Sequence, residues 1–197
     1  MPMLIWENIR YSFGFCMNKE EFMAVTKVEN MNDAKMIVRS KRVAFMEVGT
    51  ANASKYVRMQ GFTSISEAKS PTEYGRRYVD EDTERSDVTG YATQIGYSFD
   101  RHSPFVVHEK IAEITDKEYV GSETHVKILT VDLFSEGDAK VARLRTYAVV
   151  PDTIGDGTDA LIYSGNFRAI GEAQEGTASS ADDWQTAKFT PAANKEK

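Results

Sequence analysis

The sequence predicts a mainly β fold, a β-sandwich or barrel with one flanking α-helix. Short runs rich in β-branched and aromatic residues recur along the chain, and turn-forming residues separate them. Only one segment, at about residues 103–120, spaces its apolar residues with a helical period. A single amphipathic helix has one apolar face to bury, so we expect it to pack on one face of the sheet.

The first strands are predicted by runs of apolar residues that end at glycine. Residues 42–49 (RVAFMEVG) form the first run, and a second strand follows at about residues 55–59. The clearest alternation lies in residues 90–100, where every second side chain is aromatic or β-branched. The residues on that face are Tyr91, Thr93, Ile95, Tyr97 and Phe99. This pattern predicts a strand with one buried face.

The helix has recognisable start and stop signals. Ser103 is a good N-cap, and Pro104 fits the first helical position. An apolar stripe follows, made of Val107, Ile111 and Ile114. Gly121 is placed to end the helix.

The second half of the chain predicts three more core strands. Residues 124–134 and 140–150 form an antiparallel hairpin in this interpretation, and residues 151–158 form a turn-rich loop. Residues 160–170 give the last core strand. Residues 171–197 are small, polar and acidic, so we expect a mobile C-terminal tail.

Residues 61–90 differ from the rest because they contain few aliphatic and many charged side chains. We interpret this segment as a long extended hairpin, with polar strands at about 74–79 and 85–89 joined by an acidic turn. A hairpin with so little apolar surface is marginal alone and needs a partner. It is therefore a candidate for contact between subunits, and a solvated surface hairpin is the alternative.

Nine residues are candidates for assembly contacts. Most belong to the hairpin, and two are arginines spaced by two along a later strand, where they face the same side. The candidates are Tyr74, Arg76, Arg77, Tyr78, Asp80, Glu81, Arg85, Arg143 and Arg145. For Arg143 and Arg145 we favour pairing with acidic neighbours on an adjacent strand or subunit, with a row facing phosphates as the alternative.

The N-terminal region divides into two parts. Lys19-Glu20-Glu21 can be encoded by an unbroken purine tract that resembles a bacterial ribosome-binding sequence, and Met23 follows after a short spacer. We therefore expect residues 1–22 to be an upstream extension that is absent from the natural product, with a short extra strand or helix as the alternative. Residues 23–41 are polar without periodicity, so we expect a flexible arm that precedes a domain over residues 42–170.

Composition and motifs argue against catalysis and against nucleic-acid binding. The net charge is -6, opposite to the basic surface that neutralises phosphates. Cys16 is the only cysteine, and no nucleophile motif or phosphate-binding loop is present. Residues 152–159 contain recurring Asp and Gly but not the register of a calcium loop. We predict no enzyme activity, cofactor or metal, and no apolar run is long enough for a bilayer.

An ordered series of short segments over about residues 42–178 resembles the major tail tube proteins of long-tailed, non-contractile bacteriophages and prophages of Gram-positive bacteria. No single segment is specific, but the order of the series is. The segments are RVAFMEVGT (42–50), YVRM (56–59), GFT (61–63), SPTEY (70–74), YVDE (78–81), DVTGY (87–91), VDLF (131–134), GDGTD (155–159) and YSGNF (163–167).

This resemblance implies a structural virion protein with a β-sandwich and a flanking helix. Members of the family close into homo-hexameric rings that stack into the tail tube, and a long loop or hairpin reaches adjacent subunits. The tube holds the tape measure protein and then conducts the DNA, without specific binding. The implied location is the virion tail, assembled in the bacterial host cytoplasm, and we expect an acidic channel wall.

Two other functions remain open at this point. One is a monomeric β-sandwich module for binding or adhesion. The other is a different virion part, such as a tail terminator or a capsid decoration protein, because fold alone does not give function.

Overall fold

The computed structural model describes residues 30–49, 55–155 and 157–192. Residues 1–36 and 37–197 form two separate units. In the first, the described part contains one 3-10 turn, Met31–Asp33. The predicted upstream extension at residues 1–22 lies outside the described residues, as do residues 23–29 of the predicted arm.

The second unit is built from antiparallel strands and one α-helix, which confirms the predicted fold class. The helix α1 spans Val106–Asp116 and lies between the fourth and fifth strands. The strands are β1 Arg42–Val48, β2 Lys55–Arg58, β3 Phe62–Arg76, β4 Arg85–Asp100, β5 His125–Asp132, β6 Lys140–Ile154, β7 Ile162–Ser179 and β8 Thr186–Pro191.

The strands form one sheet, and part of this sheet closes into a barrel because β8 pairs with β7. Their order is β3-β4-β7-β6-β5-β1-β2-β8, and β8 also pairs with β7. Six strands therefore make a small closed barrel, while β3 and β4 extend the sheet beyond it. The long strand β7 serves both parts, because its first half pairs with β4 and its last residues, 176–179, pair with β8. Closure removes sheet edges that would otherwise be exposed.

Alternation along the strands divides the core in two. In β1, Val43 and Phe45 belong to a cluster inside the barrel, whereas Met46 belongs to a cluster under the helix. The barrel cluster is completed mainly by Leu129, Val131, Ala142, Ala178 and Ala187. The helix cluster includes Ile95, Tyr97, Phe99, Val126, Ile128, Tyr147, Val149, Tyr163 and Phe167. Each large apolar side chain that is fully buried contributes about 1.5–3 kcal/mol.

The predicted helix is correct in its apolar face and wrong in its boundaries. Val107, Ile111 and Ile114 are all buried against the sheet, as expected. The N-cap is Phe105 rather than Ser103, because the Phe105 side chain packs against the core and its backbone is extended. Ser103 and Pro104 lie in the turn before it, where the Phe105 N–H donates to the His102 carbonyl.

The helix ends at Asp116, well before Gly121. Glu118 takes the left-handed conformation with φ 51°, and its N–H donates to the Thr115 carbonyl. The Tyr119 N–H donates to the Ile114 carbonyl, which completes a Schellman motif. Tyr119 packs against the helix cluster, so its burial fixes the stop at a position where Glu118 stands in place of the expected glycine.

Two predictions about the last part of the chain are wrong. Strand β6 continues to Ile154, through part of the predicted loop at residues 151–158. The predicted mobile tail at residues 171–197 instead contains the end of β7 and all of β8. These residues are needed to close the barrel, where Trp184 and Phe189 pack against the inner cluster. Their low apolar content concealed this role, since a small barrel is filled by few side chains.

Candidate assembly surface

Part of the β3–β4 hairpin projects beyond the sheet as a two-stranded ribbon. The two strands pair from Phe62 opposite Phe99 to Arg76 opposite Arg85. Strand β7 pairs only with residues 94–100 of β4. Residues 69–76 and 85–93 therefore have no third strand beside them in the described part of the chain. We call these residues, with the turn at 77–84, the ribbon.

The ribbon agrees with the predicted hairpin in place and polarity but not in strand bounds. Strand β3 begins at Phe62, long before the predicted residue 74, and it ends at Arg76. Strand β4 joins the two strands predicted at 85–89 and 90–100 into one. Most ribbon residues are exposed. Isolated two-stranded ribbons are marginally stable in water, so a surface of this kind favours contact with another protein.

Seven of the nine predicted assembly residues lie together at the tip of the ribbon. The Arg85 guanidinium forms an ion pair with the Glu81 carboxylate, with Nε donating at 2.8 Å. Arg77 Nε donates to the Glu81 carbonyl oxygen at 3.2 Å, which holds the turn. Arg76 donates to the Tyr74 hydroxyl at 3.2 Å. These contacts are local, and they hold the shape of the tip.

The Tyr78 ring at the same tip forms cation–π contacts with two arginines. The guanidinium carbons of Arg76 and Arg85 lie 5.9 Å and 6.0 Å from its ring centre. Such cation–π contacts contribute about 0.5–1 kcal/mol at exposed sites. Asp80, by contrast, is exposed and forms no ion pair with a described residue. The arginines are thus engaged within the ribbon, while the carboxylates at its apex remain available.

One face of the ribbon carries apolar side chains that the subunit itself does not cover. A register shift leaves Thr89 as an extra residue, and its hydroxyl donates to the Thr72 carbonyl at 3.0 Å. Tyr91 lies on the face that, further along β4, packs on the helix cluster, and the shift brings Val88 onto the same face. Val88 is 52% exposed and Tyr91 is 62% exposed. This continuation of the core face is a surface suited to burial by another subunit.

The outer edge of β3 is open among the described residues. Arg39 donates to the Ile65 carbonyl oxygen at 3.0 Å, which shows that this group points away from β4. Backbone groups alternate in direction, so those of Glu67, Lys69 and Pro71 point the same way. Pro71 lacks an N–H and is tolerated in β3 because its position needs no ladder bond to β4. An open edge is a template for pairing with another strand.

Arg143 and Arg145 lie on β6, away from the tip. Arg143 donates to the Asp132 carboxylate at 3.1 Å, so the expected pairing with an acidic neighbour on an adjacent strand is confirmed for it. Arg42 Nε and its terminal nitrogen donate to the same carboxylate at 2.5 Å and 2.9 Å, and this bond raises the pKa of Arg42. Arg145 binds the Gly171 carbonyl at 2.9 Å instead of an acid.

Sequence reasoning missed the basic residues at the other end of β3. Arg39 and Arg42 contact the sheet where β1 and β3 begin, and Arg58 lies at the end of β2. The available signal was the basic run RSKR at residues 39–42. It was missed because residues 39–41 were assigned to the flexible arm and Arg42 to the first strand of the domain.

The described residues contain no group of three or more His, Cys, Asp or Glu side chains that could hold a metal ion. Within the same part of the chain, no helix has the length and hydropathy to cross a membrane.

Comparison with known proteins identifies the fold. No protein family model matches the sequence, and no curated protein matches it. The chain is similar to the SPP1 tail tube determined by solid-state NMR and cryo-EM, with a TM-score of 0.53 and 14% identity. The similarity covers 74% of this chain and 81% of that chain. A chain of the anti-feeding prophage (AFP) baseplate gives a TM-score of 0.46 and 9% identity, covering 72% of this chain and 96% of that chain. The likeness to the tail tube protein shows that this chain has the phage tail tube fold.

Proposed function

We propose that this protein is a structural subunit of a bacteriophage tail that assembles into homo-hexameric rings, which stack into the tail tube. The tube is that of a long-tailed, non-contractile phage or prophage of Gram-positive bacteria. It holds the tape measure protein and then conducts the DNA without specific binding, and it is assembled in the host cytoplasm. The protein acts by self-association and is not an enzyme.

The ribbon carries this proposal. A monomeric binding module has no need of a projecting hairpin whose core-facing side chains, Val88 and Tyr91, are exposed. Burial of these side chains by a neighbouring copy stabilises the assembly, and pairing at the open edge of β3 adds backbone hydrogen bonds. The similarity to a protein of the SPP1 tail tube supports the same function, since that fold is used there in a tube.

Negative-stain electron microscopy and analytical ultracentrifugation of the purified full chain test the proposal. We expect six-fold rings or tubes above a threshold concentration. We also design a shortened variant, in which a short turn replaces residues 70–89. It keeps the barrel cluster and the helix cluster and is expected to remain a folded monomer. A wild-type protein that stays monomeric at high concentration would contradict the tube function and favour a binding module. Tubes formed by the shortened variant would contradict the role of the ribbon.

A further inference from the structure

A cationic cleft lies beside the start of β3, in a protein whose net charge is -6. The cleft has a volume of about 500 Å³. Its walls include Arg39 before β1, Arg42 at the start of β1 and Arg58 at the end of β2, together with Phe62 and Ile65 of β3. Three arginines around one opening concentrate positive charge on an otherwise acidic molecule.

Positive charge in this cleft exceeds the carboxylates around it. Arg39 donates to two carbonyl oxygens, of Arg42 at 2.6 Å and of Ile65 at 3.0 Å, and carbonyls leave its charge uncompensated. Arg42 shares the single carboxylate of Asp132 with Arg143. Among the described residues, no carboxylate lies within ion-pair distance of Arg39 or Arg58. Glu67 is the other nearby acid, and its charge also raises the pKa of Arg42.

The apex of the ribbon carries the opposite charge. Asp80, Asp82 and Glu84 are exposed in the turn, and no described basic group forms an ion pair with them. Of the neighbouring arginines, Arg85 pairs with Glu81, whereas Arg76 and Arg77 bind the Tyr74 hydroxyl and the Glu81 carbonyl and keep their charge. Those two arginines lie beside the turn, and the turn itself presents the three unpaired carboxylates, which have the chemistry that the cleft would bind.

The apex of a subunit is too far from its own cleft to fill it. The cleft contacts β3 at residues 62–65, and the apex follows the other end of the same strand at Arg76. The strand rises about 3.3 Å per residue, so Ile65 and Arg76 are about 36 Å apart. One extended element thus carries complementary charges at opposite ends. Such an element can contact the next copy head to tail, in a heterologous contact that repeats from copy to copy.

We propose that the acidic apex of the ribbon in one copy docks into the cationic cleft of the next copy in the assembly. Asp80 and Asp82 approach Arg39 and Arg58, while Arg42, which is held by Asp132, lines the same cleft. This inference rests on the proposed function and names the receiving surface for the ribbon. Charge complementarity sets the register between copies and excludes apex-to-apex or cleft-to-cleft contacts.

A charge-swap experiment tests the docking. The apex variant carries Asp80→Lys and Asp82→Lys, and the cleft variant carries Arg39→Glu and Arg58→Glu. Each is expected to raise the concentration needed for assembly by about tenfold or more, because like charges meet at the contact. The chain that carries all four changes should assemble again, since the opposite charges are restored. Exposed charges away from both surfaces serve as matched controls, with Lys188→Glu and Asp159→Lys expected to assemble like the wild type.

Circular dichroism of each monomer separates loss of docking from loss of fold. Arg58→Glu alone is a second cleft variant that leaves the Arg39 hydrogen bonds intact. Raising the salt concentration should weaken wild-type assembly, as expected for a contact made by exposed charges.

Three outcomes would overturn the docking while leaving the tube function in place. The apex variant could assemble at the wild-type concentration, or the four-change chain could stay monomeric although folded. Alternatively, only the cleft variants could lose assembly. If the wild-type protein then retarded DNA in a gel, or protected residues 1–29 from protease, the cleft would be assigned to another occupant. A wild-type chain that never assembles would instead contradict the proposed function itself.

Discussion

The His108 side chain fixes the corner between β2 and β3 through a hydrogen bond to the backbone of Gln60. The Nε2 atom of His108 lies 2.8 Å from the Gln60 carbonyl oxygen, and its Nδ1 atom accepts from the His102 N–H at 3.1 Å. Because Nδ1 accepts, the neutral ring carries its proton on Nε2 and donates it to Gln60. The ring is 1% exposed and stacks on Phe99 at 4.3 Å. It thereby positions the start of the strand that forms the ribbon.

This geometry predicts lower stability in mild acid. Burial lowers the pKa of His108 below its ordinary value, although the bond to Gln60 opposes the shift. A folded-state pKa below the unfolded value means that the unfolded chain binds the proton first, so stability is complete above about pH 6.5 and declines as the pH falls. Urea unfolding between about pH 7.5 and pH 5.5 measures this loss. In His108→Gln the decline should become smaller, whereas exposed His125→Gln should retain it.

Removal of the Asp132 carboxylate should destabilise the barrel end of the sheet. The Asp132 residue is 6% exposed and binds both Arg42 and Arg143, so Asp132→Asn leaves two guanidinium groups facing each other. We expect the free energy of unfolding to fall by about 1–3 kcal/mol, less than for a fully buried pair because both arginines reach solvent. Chemical denaturation measures the loss. Glu113→Gln, which breaks the exposed pair with Lys117, is expected to change little.

Polar substitution on the core-facing side of the ribbon should separate assembly from folding. Val88→Ser and Tyr91→Ser change side chains that are exposed in the subunit, so its thermal unfolding should shift little. If a neighbouring copy buries them, each change should raise the concentration needed for assembly by about tenfold or more. Ultracentrifugation measures this concentration. Thr190→Ser, exposed on β8, is the control, and unchanged assembly of both ribbon variants would show that this face is not an interface.

A methyl group at Gly176 should open the barrel. A Cβ atom there would lie 2.3 Å from the Thr190 carbonyl oxygen and 2.7 Å from the Phe189 ring, and the carbonyl belongs to the backbone of β8. Gly176→Ala must therefore displace β8, and we expect a loss of about 2–3 kcal/mol in unfolding free energy. Hydrogen exchange should show weaker protection in β8 than in β4. Gly90→Ala is the matched control, because a Cβ at Gly90 meets nothing within 4 Å; equal losses in both variants would contradict the closure argument.

The sequence correctly predicted the elements in which the spacing of apolar residues shows which face is buried. Alternation in residues 91–99 and the stripe of Val107, Ile111 and Ile114 arise because one face of each element is apolar, and both faces are buried as expected. The polarity of residues 61–90 likewise predicted an extended hairpin with little core of its own. Each of these features is local, so the chain alone determines it.

Other features depend on neighbours that only the folded chain supplies. Barrel closure turned the polar residues 171–191 into the end of β7 and strand β8, because backbone pairing with β2 and β7 stabilises them where apolar content does not. Packing of Phe105 and Tyr119 set the helix ends in place of Ser103 and Gly121. The cationic cleft brings Arg39 and Arg42 beside Arg58, residues separated by a strand and a turn. The sequence by itself determined the fold class, one helix and the polar hairpin, whereas the tertiary structure decided which strands close the barrel and which charges meet, because those depend on long-range pairing.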